Sequence, residues 1–103
     1  MNRVGADELM AMLDGPAAVS LIDVRTPDEF RSGHIPGSVS VPMGMLAGLD
    51  ALPLKGTIVL CCASGMRSGR ARNILAGMGV EAVDLKGGVK AWVRAGGALT
   101  IGG

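Results

Sequence analysis

The chain has 103 residues, a length that suits one domain running from 1 to 103, and 49% of them are hydrophobic, enough for a proper core. Phe30 and Trp92 are its only aromatics, so that core must be built from Leu, Val, Ile, Ala and Met. A formal net charge of +1 gives no electrostatic basis for binding nucleic acid or an anionic membrane.

The opening stretch, MNRVGADELMAML, lacks the long apolar run of a signal peptide, and no segment approaches a bilayer span. The chain is therefore expected in the cytoplasm. ADELMAMLDG predicts a helix with Leu9, Met12 and Leu13 on its inner face and Gly15 as its stop. AVSLIDV reads as a buried strand. In TPDEFRSG, Thr26 is an N-cap, Pro27 takes the first helical position, and Asp28 and Glu29 favour the first turn. That short helix ends at Gly33. SVSVP is a brief strand closed by Pro42, and MGMLAGLDAL a weak helix loosened by glycine. TIVLCC is a second buried strand. RSGRARNILAGMG predicts a helix with Ala71, Ile74, Leu75 and Met78 inward and Arg67, Arg70 and Arg72 largely outward, capped by Gly79. VEAVDL is a further strand. GGVKAWVRAGG is a last helix, carrying Val89, Trp92 and Val93, and the tail ALTIGG commits to nothing.

Apolar strands alternating with helices indicate an α/β fold, a mainly parallel sheet with helices on both faces. Sites in such sheets lie outside the carboxyl ends of the strands. Two ends carry chemistry: Asp23 to Arg25, and Cys61 to Arg67.

Two cysteines adjacent in sequence make a strained disulfide. With His34 alone to help them they are also a poor metal site. A reduced thiol remains to be explained. After Cys62 comes a loop of small residues, Ala63, Ser64 and Gly65, that opens a helix. Successive N–H groups in such a loop, with the helix N-terminus behind them, form an anion cradle. They should lower the pKa of a thiol at its head and stabilise a negative adduct on that sulfur. Cys61 still belongs to the apolar strand and reads as a core thiol. Cys62 is the reactive candidate.

Three stretches, LIDVRTPDEFRSGHIPGSVSVP, IVLCCASGMRSGRA and LKGGVKAWVRAGG, resemble in order and spacing the signature segments of a single-domain rhodanese, a sulfurtransferase. The resemblance implies the rhodanese α/β fold with a central parallel sheet. It also implies a catalytic cysteine that cycles between thiolate and persulfide. The family pattern of cysteine, two residues, glycine, one residue, arginine, serine falls on Cys62, Gly65, Arg67 and Ser68. Ala63, Ser64, Gly65, Met66 and Arg67 would then bind the substrate, and Asp23, Arg25 and Ser68 would support the site. No cofactor and no metal are implied.

Counted from Cys61, five residues precede Arg67, the bare cysteine–arginine spacing of cysteine-dependent phosphatases. That register puts the glycine one place late and Leu60 where those enzymes usually carry histidine. From Cys62 the loop has six residues, which in this superfamily goes with sulfur transfer, while phosphatase relatives have seven. Some thiosulfate-specialised members carry extra cations inside the loop. Here Ala63 and Ser64 hold those positions, and Arg67 is the only loop cation. The expected partners are a small sulfur donor, either thiosulfate or a persulfide, and a thiol or cyanide acceptor; a protein persulfide fits the same chemistry. A persulfide carrier or regulatory domain is the alternative, with a phosphatase or arsenate reductase behind it. A monomer is compatible with the sequence, which leaves the oligomeric state open.

Among the supporting residues, Asp23 is expected to pair with Arg67 or His34, and Arg25 with Glu29. His34 lies in GHIPG, a turn whose glycines and proline direct the chain, and reads as structural. Gly87 and Gly88 read as a tight lead into the last helix, Trp92 as a core anchor, and Met66 as a residue at the pocket mouth.

Overall fold

The computed structural model describes residues 2–51 and 54–103. Among them, five strands form one parallel sheet: β1 (Arg3–Val4), β2 (Val19–Asp23), β3 (Val39–Ser40), β4 (Thr57–Cys61) and β5 (Val83–Leu85), in the order β1-β5-β4-β2-β3. The helices are α1 (Ala6–Asp14), α2 (Pro27–Ser32), α3 (Met66–Gly77) and α4 (Gly88–Arg94). They cover both faces, as parallel strands with crossover helices require.

Strand periodicity divides the core. On one face Ile22, Leu60 and Cys62 pack with Leu46, Ala71 and Leu75. On the other, Leu21, Val59 and Cys61 pack with Leu9, Val89 and Trp92. The adjacent cysteines thus face opposite layers, because successive strand side chains alternate. β4 is the most enclosed strand, with Val59, Leu60 and Cys61 fully buried.

Several elements differ from the sequence expectation. β1 is two residues long and too short to show a period. β3 and β5 reach only Val39–Ser40 and Val83–Leu85, the spans in register with β2 and β4 or β1. The expected weak helix is a 3-10 segment, Met43–Ala51, interrupted at Gly48, and its last expected residue, Leu52, lies outside the described residues. Leu13 and Met78, expected inside, are exposed. Leu13 lies in the last turn of α1 beside an open groove with Met10, Asp14, Pro36 and Trp92. Met78 stands past α3 as its C-cap. The uncommitted tail folds back, with Thr100 and His34 exchanging two backbone hydrogen bonds of 2.7 and 2.9 Å. It also offers the Ala98 carbonyl to the Trp92 indole at 2.8 Å.

From β2 the chain moves outward to β3; from β4 it moves the other way, to β5. The strand order therefore reverses between β2 and β4, where Asp23 lies opposite Cys61. That reversal opens the crevice in which such sheets bind ligands.

Candidate active site

The loop Cys62 to Arg67 leaves the carboxyl end of β4 and enters α3 through Gly65, whose φ of +95° only glycine adopts freely. The turn brings the Gly65 N–H to 3.0 Å from the Cys62 sulfur, to which it donates. The Ser68 hydroxyl stands 3.7 Å from the same sulfur. Burial by itself would raise the Cys62 pKa. Donors from Ser68, backbone and hydroxyl, and from the Gly65 and Arg67 amides outweigh it, so the thiol lies below its ordinary range. Cys62 is only 1% exposed.

Cys61 has the opposite surroundings. It is fully buried in β4, and burial drives its pKa far up, with Asp23 adding to the rise. Cys61 is the last residue of β4, in register opposite Asp23, and the loop begins after it.

The structure places the expected loop residues together and gives them unequal parts. Gly65 donates to the sulfur, while Ser64 and Met66 are exposed, Met66 at 84%. Ser68 is fully buried; its hydroxyl accepts from the Cys62 thiol and has one proton for the Gly65 carbonyl at 3.3 Å or Asp84 Oδ2 at 3.4 Å. It can donate to sulfur as thiolate and turn away from it as thiol.

Two expected ion pairs are corrected. Asp23 pairs with neither Arg67 nor His34. It receives the Arg25 side chain, Nη2 to Oδ2 at 2.8 Å and Nε to both oxygens at 3.0 Å, together with the Arg25 amide at 2.9 Å. Arg25 does not pair with Glu29 but also donates to the Gly33 carbonyl at 2.7 Å. This buried unit ties the end of β2 to the end of α2, because two residues at a strand end bend a guanidinium back onto its own carboxylate. Glu29 instead takes Arg67 in a two-point pair, Nη1 to Oε1 at 2.7 Å and Nη2 to Oε2 at 2.8 Å. His34 is structural as expected, stacked on Phe30 at 3.7 Å and donating from Nδ1 to the Phe30 carbonyl at 2.8 Å.

Sequence reasoning missed three contributors. The sequence offered Glu29 only as a first-turn acid and as a partner for Arg25; its capping box with Thr26 and its pair with Arg67 emerge in the structure. Asp84, buried on β5, accepts from Arg72 and from Arg3 at 3.2 Å, which removes Arg72 from the cations available to a ligand. Gly88 lies against the cysteine loop: a Cβ there would stand 2.3 Å from the Cys62 carbonyl oxygen. That approach lets α4 donate Val89 N–H to the Cys62 carbonyl at 2.8 Å and Lys90 N–H to the Ala63 carbonyl at 3.1 Å. The glycine pair signalled a tight turn, though not what it packs on. Among the described residues, no cluster of His, Cys, Asp and Glu could hold a metal ion, and no helix is long and apolar enough to cross a membrane.

A family model described as the rhodanese-like domain matches residues 5–95. A protein of Allochromatium vinosum named "Sulfurtransferase" is 34% identical over 93% of this chain and 92% of its own length. The Escherichia coli thiosulfate sulfurtransferase PspE is 35% identical over 72% of this chain and 74% of its own. A crystal structure of a rhodanese-like domain protein from Staphylococcus aureus superposes with a TM-score of 0.86 at 31% identity, covering both chains fully.

Proposed function

The chain belongs to the rhodanese-like domain family, and from that membership we propose that it is a sulfurtransferase in which Cys62 carries the sulfur. The observation that carries the reading is the Gly65 N–H aimed at the Cys62 sulfur from 3.0 Å, at the head of a loop that opens α3. The Cys62 thiolate attacks the outer sulfur of a sulfane donor and forms a sulfur–sulfur bond. The donor's own bond to that sulfur breaks, and its electron pair leaves as sulfite from thiosulfate or as a thiol from a persulfide. The product is a Cys62 persulfide anion, whose terminal charge the loop amides of Ala63 to Arg67 accept. Cyanide or an acceptor thiolate then attacks the terminal sulfur and restores the Cys62 thiolate, a two-step covalent cycle.

The reading asks little of acid–base catalysis, since the surroundings of the nucleophile favour its thiolate. It also needs no second cysteine. Cys61 faces the other core layer, so no thiol of this chain can draw the persulfide into an internal disulfide. The sulfur waits for an external acceptor, which suits a reducing compartment such as the cytoplasm. Thiosulfate, a small persulfide and a protein-borne persulfide are the proposed donors.

Intact mass after incubation with thiosulfate or a small alkyl persulfide tests the proposal. One added sulfur is expected on the unmodified protein and none on Cys62→Ala. Release of thiocyanate over many cycles with cyanide marks an enzyme; loading once and stalling marks a carrier. If the unmodified protein takes up no sulfur and hydrolyses an aryl phosphate instead, the proposal fails.

A further inference from the structure

Arg67 is the one cation within the loop, and the structure shows it already engaged. Its pair with Glu29 runs from α2, which follows β2, to the first turn of α3. Both side chains are a little over one-third exposed, which puts the pair at the solvent rim near Cys62. The two-point geometry resists sliding more than a single contact would. Thr26 fixes the carboxylate from behind through its N–H, at 3.0 Å, and its hydroxyl, at 3.2 Å. Arg67 holds the Glu29 carboxyl down to about 2, with the Thr26 contacts assisting, so the pair is ionic at any working pH.

A donor approaching the loop therefore meets a nearly neutral rim rather than a free guanidinium. Thiosulfate brings two negative charges, and its leaving sulfite keeps both. A small alkyl persulfide brings one at most. We propose that Glu29 is a specificity-determining residue which neutralises Arg67 and biases Cys62 toward sulfane donors of low charge over thiosulfate. The inference rests on the sulfurtransferase reading. In both transfers the Cys62 thiolate gains one sulfur atom, and the donor leaves as sulfite or as a thiol, so the two differ in charge at the rim and not in the bond made.

The test compares loading of Cys62, followed by intact mass, from thiosulfate and from an alkyl persulfide. Glu29→Gln keeps an acceptor for the Thr26 N–H and frees Arg67. It should raise the second-order rate with thiosulfate about five- to tenfold, the effect of one unit charge at a half-exposed site. The rate with the alkyl persulfide should change less than about twofold. Asp28→Asn makes the same charge change one residue away and releases Arg31, both on well-exposed side chains outside the cysteine loop, and should move neither donor. The unmodified protein supplies a second readout: its thiosulfate rate should vary little with salt, because a neutral rim has little field to screen. A Glu29→Gln variant that leaves the ratio of the two rates unchanged overturns the inference, as does a steep fall of the unmodified rate with salt. If no form of the protein loads sulfur from either donor, the sulfurtransferase reading falls and takes the inference with it.

Discussion

Replacing Gly88 by alanine should damage both stability and the cysteine loop, by an amount that a second glycine isolates. Gly88 has φ +62°, and an added Cβ would lie 2.3 Å from the Cys62 carbonyl oxygen and 2.7 Å from the Ala63 carbonyl carbon. An L-residue in that conformation costs about 1–2 kcal/mol. The obstructing atoms are backbone, so α4 and the loop must separate by roughly 1 Å to reach ordinary contact. Separation weakens two hydrogen bonds, Val89 N–H to Cys62 and Lys90 N–H to Ala63, worth about 1 kcal/mol each. The total is on the order of 3–4 kcal/mol, a large part of the 5–15 kcal/mol typical of a domain. Gly79 has φ +80° with nothing within 4 Å, so Gly79→Ala should cost only the conformational part, about 1–2 kcal/mol. Urea unfolding of the two variants should differ by about 2 kcal/mol, and only Gly88→Ala should load sulfur slowly. Equal stability losses and equal loading would show that α4 does not hold the loop.

Cys61→Ala should retain the sulfur adduct while losing about 1–2 kcal/mol to the small cavity it leaves, as unfolding and intact mass would report; loss of the adduct would contradict its place in the core. The rate of Cys62 alkylation against pH should show a midpoint below the free-thiol value of about 8.5, and Ser68→Ala should move that midpoint upward by removing a donor to the thiolate. The Glu29–Arg67 pair should stabilise the fold above the ordinary carboxylate range and lose that contribution as pH falls from about 4.5 toward about 2, since Glu29 has a depressed pKa in the folded state. Its half-exposed setting limits the contribution to under about 1 kcal/mol, so unfolding curves of Glu29→Gln should fall slightly below those of the unmodified protein at pH 7 and meet them near pH 2.

Apart from β1 and the 3-10 character of Met43–Ala51, the order of strands and helices, the parallel sheet and the position of Cys62 before a helix-opening loop are legible in the sequence. Each depends on residues close together in the chain: the alternation through Val59 and Leu60, the Thr26–Pro27 start of α2, the small residues 63–65 before α3. The ionic and packing partners of the site are not of that kind. Glu29 reached 38 residues along the chain to Arg67, and Gly88 came to rest on the Cys62 carbonyl; even Asp23 and Arg25, only two residues apart, closed on one another rather than on the partners the sequence suggested. So did the exposure of Leu13 and Met78, whose spacing pointed inward. Helix caps and strand periods are set by energies acting within about four residues. Which charge meets which depends on β2 lying beside β4 with Asp23 opposite Cys61, and on β5 carrying α4 back across the loop. Sheet order and register come from burying both faces of the sheet at once, a condition on the whole chain that no short segment contains.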